Sequence, residues 1–131
     1  MELNKILIVT LLFSIFCCDK QETEPKILKI VLKSCGLSST SITQLDCDYI
    51  DQHYHKKITI EDENEIEKFK NIITKLKINP TNEEIDARVI IYFFYENKHV
   101  DTICLGTINQ KLNGKSIYFN AELFYLVNKY E

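Results

Sequence analysis

A chain of 131 residues, with net charge −3 and 45% hydrophobic residues, is sized for one globular domain. Its mildly acidic balance argues against nucleic acid as a partner, because that class needs a concentrated basic face. Two prolines and three glycines exclude a low-complexity tract, and no internal repeat at a fixed period is visible.

The first element is Lys5 followed by the apolar run Ile6–Phe16, broken only by Thr10 and Ser14. A helix needs about 20 apolar residues to cross the hydrocarbon core, so this run is too short for a permanent span. A basic start and about 7–15 apolar residues have the form of a secretory signal. The run ends in Ile15-Phe16-Cys17-Cys18. This end resembles the lipobox of bacterial lipoproteins, with an aliphatic residue at −3 and a small one at −1 before a cysteine. The resemblance implies cleavage before Cys18 and attachment of a diacylglycerol to its thiol. Cys17 is the alternative, which would put the bulky Phe16 at −1. The resemblance also implies residues 1–17 as signal peptide and lipid at the start of a polar tether over residues 18–25; the remaining length predicts a single domain over 26–131. On that reading the protein sits outside the cytoplasm, attached by lipid to a membrane of the cell envelope.

Asp19–Pro25 contains no apolar side chain and fits a tether. Lys26–Lys33 reads as a strand with Leu28, Ile30 and Leu32 on one side. Ser34–Thr43, rich in Ser and Thr around Gly36, reads as a connection. Gln44–Lys57 is the densest polar stretch, and Lys56–Ile60 follows as a short strand with Ile58 and Ile60 facing in. The clearest helix comes next. Asp62 and Glu65 form a capping-box pair, Ile66, Phe69, Ile73 and Leu76 recur at helical spacing, and Asn79-Pro80 stops it.

Ala87–Tyr95, ARVIIYFFY, is apolar on both faces and predicts a central strand. Glu96–Lys98 turns into a second arm, His99–Leu105. Thr107–Leu112 and Lys115–Phe119 flank Asn113-Gly114, the code of a type I′ hairpin turn. Asn120 caps a last helix with Leu123, Leu126, Val127 and Tyr130 on one face. The order β(β)-α-β-β-β-β-α predicts an α+β fold, with an antiparallel sheet of about five to six strands and two amphipathic helices on one face.

After export the environment is oxidising. Cys35 and Cys47 flank a polar loop and are the expected disulfide, with Cys104 a buried thiol in its strand. His53-x-His55 with Asp51 is the one arrangement that suggests a metal, but it matches no closed zinc pattern and a solvated edge strand explains it. His99 is expected to face solvent. No nucleophile elbow, phosphate loop or dinucleotide fingerprint occurs. The expectation is therefore a non-enzymatic protein-binding module without cofactor, held to a membrane and engaging an envelope protein. The alternative is a small-ligand or metal binder built on Asp46–His55.

Overall fold

The computed structural model describes residues 23–39 and 43–131. Cys17 and Cys18 lie outside the described residues, so the candidate lipidation site has no structural account here.

The elements are β1 (Ile27–Ser34), α1 (Cys47–His53), β2 (Lys56–Ile60), α2 (Glu63–Ile73), β3 (Ala87–Tyr95), β4 (Val100–Gly106), β5 (Gln110–Leu112), β6 (Lys115–Ile117) and α3 (Ala121–Asn128). The strands form one antiparallel sheet of six in the order β2-β1-β3-β4-β5-β6. The α+β class and the antiparallel sheet are as the element order predicts. β3 lies inside the sheet because it has apolar side chains to offer both layers. Val89, Ile91 and Phe93 face one way; Ile90 and Tyr92 face the other.

The larger core forms where α2 and α3 cover the first of these faces. Phe69 of α2 and Leu123 and Val127 of α3 are fully buried with Ile30, Phe93 and Ile103 of the sheet. Both helices begin as their sequences dictate. Asp62 accepts from the N–H groups of Asn64 and Glu65, and Asn120 accepts from that of Leu123, so each cap satisfies otherwise orphaned donors. Glu65 does not reach back to close the box; its carboxylate takes Lys68 and the Tyr130 hydroxyl instead.

Several local expectations shift. α2 ends at Ile73, before Asn79-Pro80, because β6 takes the backbone of the following segment. Tyr118 donates to Lys77 O and Asn79 donates to Ser116 O. Leu28 is exposed rather than buried: a register shift between Ile27 and Lys29 leaves Ile27 facing in. A third helix, α1, occupies the stretch read as polar loop and edge strand. Asp46 caps it by accepting from Tyr49 N–H, and Ile50 is its buried anchor. It packs on the second face of the sheet, against Ile90 and Cys104. The expected two helices on one face are therefore joined by a short third on the other.

Asn113 and Gly114 both take positive φ, at 49° and 78°, as the hairpin code requires. Among the described residues no helix is long and apolar enough to cross a membrane.

Candidate functional site

The disulfide joins Cys47 to Cys104, with Cα atoms 6.0 Å apart. The expected Cys35–Cys47 pair does not form, and Cys104 is not a free thiol. The reason is the stacking of α1. Its first residue, Cys47, lies over the outward side of β4, where Cys104 points, while Cys35 is drawn aside with its Sγ donating to His53 O at 3.4 Å. Burial pushes the Cys35 thiol up, against the lowering pull of the His55 backbone. A thiol so shifted is a weak nucleophile at neutral pH.

The structure does not bring Asp51, His53 and His55 together as a metal site. Asp51 turns toward the sheet, where its Oδ1 accepts from Lys33 Nζ at 2.7 Å and from the Tyr92 hydroxyl at 2.6 Å. The Lys33 hydrogen bond, then that of Tyr92, holds the Asp51 carboxyl below its ordinary value. Burial first, and then Asp51, pushes the Tyr92 hydroxyl well above its own. His53 stacks on the Tyr49 ring, 4.3 Å between centroids, with Nδ1 3.1 Å from Tyr49 O. His55 lies beyond the helix and its backbone N–H bonds Ser34 O. Among the described residues no group of three His, Cys, Asp or Glu could hold a metal ion.

A pocket of about 280 Å³ opens instead at the sheet end where the described chain begins. Register defines that end: Ile27 pairs with Tyr95, Phe94 with Val100, and Ile103 with Leu112. The pocket's lining combines apolar Ile73, Tyr95 and Leu112, with Ile27, Phe93 and Ile103 of the core behind them, and the polar Glu24, Lys70 and His99.

Beside it lies a polar cluster that sequence reasoning did not assemble. Asp101 Oδ2 accepts from the Tyr95 hydroxyl at 2.8 Å, and Oδ1 accepts from Asn113 Nδ2 and lies 2.8 Å from His99 Nε2. Burial works to raise the Asp101 carboxyl, but hydrogen bonds from Asn113, Tyr95 and His99 outweigh it and hold it low. Burial and then Asp101 push the Tyr95 hydroxyl well up. The signal available beforehand was His99-x-Asp101 at a strand start, which puts both side chains on one face. His99 is thus a hydrogen-bonded member of a cluster and not merely a solvent-facing residue. Among the described residues no hydroxyl or thiol is hydrogen-bonded to its ring.

The third feature is apolar surface. Ile78, Ile108, Tyr118, Phe119 and Tyr125 are 50%, 74%, 56%, 46% and 67% exposed. They cluster around β6. Ile78 bridges Ile117, Ile108 lies in the β4–β5 turn, and the Phe119, Phe124 and Tyr125 rings follow one another at 5.8 and 6.0 Å. Ile108, Tyr118 and Phe119 stand at the sheet end opposite Ile27, because Gly106 pairs with Ala87, and Leu105 and Ile117 both pair with Gln110.

No family model matches this chain, and no curated protein or solved structure is found to match it.

Proposed function

We propose that this protein is a bacterial envelope lipoprotein, held to the membrane by lipid on Cys18, whose folded domain binds another envelope protein and is not an enzyme. The observation that carries the binding role is the exposed set Ile78, Ile108, Tyr118, Phe119 and Tyr125. Contiguous apolar surface rimmed by polar residues marks interaction sites on proteins, and aromatic side chains are the commonest energetic anchors of interfaces. The anchoring half rests on Ile6–Phe16 and the cysteines that follow it. With Cys18 acylated, the tether would join the domain at the Ile27 end, leaving Ile108, Tyr118 and Phe119 at the far end for a partner.

The two halves are tested separately. Labelled palmitate is expected to enter the wild-type chain and not the Cys18→Ala variant, and globomycin is expected to stop maturation. Photo-crosslinking in intact cells from a benzoylphenylalanine at Tyr125 is expected to capture one discrete protein. The same probe at Lys98, away from the β6 surface, is expected to capture none. Equal capture at both positions, or none at either, would remove the binding role whatever the fate of Cys18.

The pocket at the Ile27 end supports a second reading, a small apolar ligand held among Ile73, Tyr95 and Leu112. It moves the small-ligand alternative away from Asp46–His55, whose Asp51 is committed to Lys33 and Tyr92.

A further inference from the structure

β2 is an edge strand that pairs with β1 alone. Its outer side presents the alternate N–H and C=O groups that β1 does not use. β2 ends at Ile60 and Glu61 is the residue that follows it; Lys57, Thr59 and Glu61 are all exposed. By strand alternation Lys57 and Thr59 lie on one face, the one away from α2 and α3, and Glu61 is the next position in that alternation. Among the described residues neither the Lys57 nor the Glu61 side chain has a hydrogen bond or an ion pair. The neighbouring charges are occupied. Lys56 Nζ is held by the carbonyls of Tyr130 and Glu131, and Glu63 is paired with Lys26.

That strand is complementary to its own reverse. Laid antiparallel on a second β2 with Thr59 opposite Thr59, Lys57 of each copy faces Glu61 of the other, and Ile58 faces Ile60. We propose that β2 is a self-association edge, and that two copies of this chain pair through it about a two-fold axis at Thr59 into one continuous sheet. Such an isologous contact uses every interaction twice. Each Lys57–Glu61 pair lies directly across the strands on one face, where opposite charges attract and like charges repel. It also covers Ile58, which the monomer leaves half-buried. A generic acidic or basic strand would satisfy only one of the two charges. Confinement to a membrane surface raises the effective concentration of such a contact. The pairing itself does not depend on the anchoring or on the β6 surface.

The test is trapping in the full-length chain. A Thr59→Cys variant, oxidised with copper phenanthroline in intact cells, is expected to give a disulfide-linked dimer on non-reducing gels, because directly opposed Cβ atoms lie within bridging reach. Wild type and a Lys98→Cys control are expected to give none. In the Thr59→Cys background, Lys57→Glu alone or Glu61→Lys alone is expected to cut the trapped fraction about tenfold, since each sets like charges opposite one another twice. The double change Lys57→Glu with Glu61→Lys restores complementarity and is expected to recover it to within about threefold. All three positions are exposed, so far-ultraviolet circular dichroism should be the same for every variant. The proposal is overturned by absence of trapping at Cys-substituted position 59, by trapping indifferent to the single charge changes, or by a double variant that stays low.

Discussion

Cys47 and Cys104 are bonded across 57 positions of chain, their Cα atoms 6.0 Å apart. The bond fastens the first turn of α1 to β4, on the face of the sheet that α2 and α3 leave uncovered. A loop of that length corresponds to about 4 kcal/mol in the chain-entropy model, against about 3 for the shorter Cys35–Cys47 loop. Replacing both Cys47 and Cys104 by Ser is expected to lower the urea-unfolding free energy by about 2–4 kcal/mol. Replacing Cys35 by Ser is expected to change it by less than about 1 kcal/mol. An equal loss at Cys35 would contradict the observed pairing.

Gly106 closes β4 where no side chain fits. A Cβ there would lie 2.5 Å from Asp86 O and 3.2 Å from Asn109 O, both backbone atoms. Gly106 N–H also donates to Asn109 O at 2.9 Å, fixing the β4–β5 turn. Gly106→Ala is expected to cost at least about 1–3 kcal/mol, the usual range for overpacking, read as a fall in melting temperature.

Asp101 makes stability depend on pH with a definite sign. Its carboxyl is held low in the folded state, so its contribution is fully present above the unfolded value of about 3.9 and is lost as pH falls through the folded one. Asp51 has the same sign through Lys33 and Tyr92. Asp101→Asn is expected to be less stable at pH 7 by about 1–3 kcal/mol, through weakened bonds to Tyr95 and His99. Its stability should then vary less than that of wild type as pH falls below about 4. A variant with an unchanged acid limb would exclude this carboxylate as a contributor.

Asn113 combines two duties at the β5–β6 turn. It holds φ at 49°, and its Oδ1 accepts from Thr102 N–H while Nδ2 donates to Asp101. Asn113→Ala is expected to cost about 2 kcal/mol or more, by adding left-handed strain to the lost hydrogen bonds. Asn113→Gly, which removes the strain alone, should recover part of that loss. The measurement is the difference in denaturation midpoint between the two variants.

A tyrosine across the large core tests how α2 and α3 are tied. The Tyr130 hydroxyl donates to Glu65 Oε2 at 2.5 Å, and its ring lies 6.0 Å from that of Phe69. Burial, then Glu65, pushes this hydroxyl up to about 12. Spectrophotometric titration is expected to show a tyrosine ionising near pH 12 that disappears in Tyr130→Phe. Ionisation at the ordinary value of about 10 would show the contact to be absent in solution.

The chain specified its local structure in short codes. Asp62 and Asn120 as caps, Asn113-Gly114 as the turn, and the two-sided apolarity of Ala87–Tyr95 each act within a few residues. Their outcome could be read without knowing the rest of the fold. Asp46 and Ile50 carried a weaker code for α1, masked by the polar residues around them. Their burial comes from the outward side of β3 and β4, which adjacency in sequence does not reveal.

What only the tertiary structure decided is which distant groups meet. Cys47 bonds Cys104 and not the nearer Cys35, because a helix of seven residues stacks on the second face of the sheet. Asp51 faces Lys33 and Tyr92 instead of His53 and His55 for the same reason. Composition and periodicity say which side chains leave water and how the backbone bends. The partner each one finds depends on strand order and on how helices stack over the sheet, and those are settled by the burial of the whole chain at once.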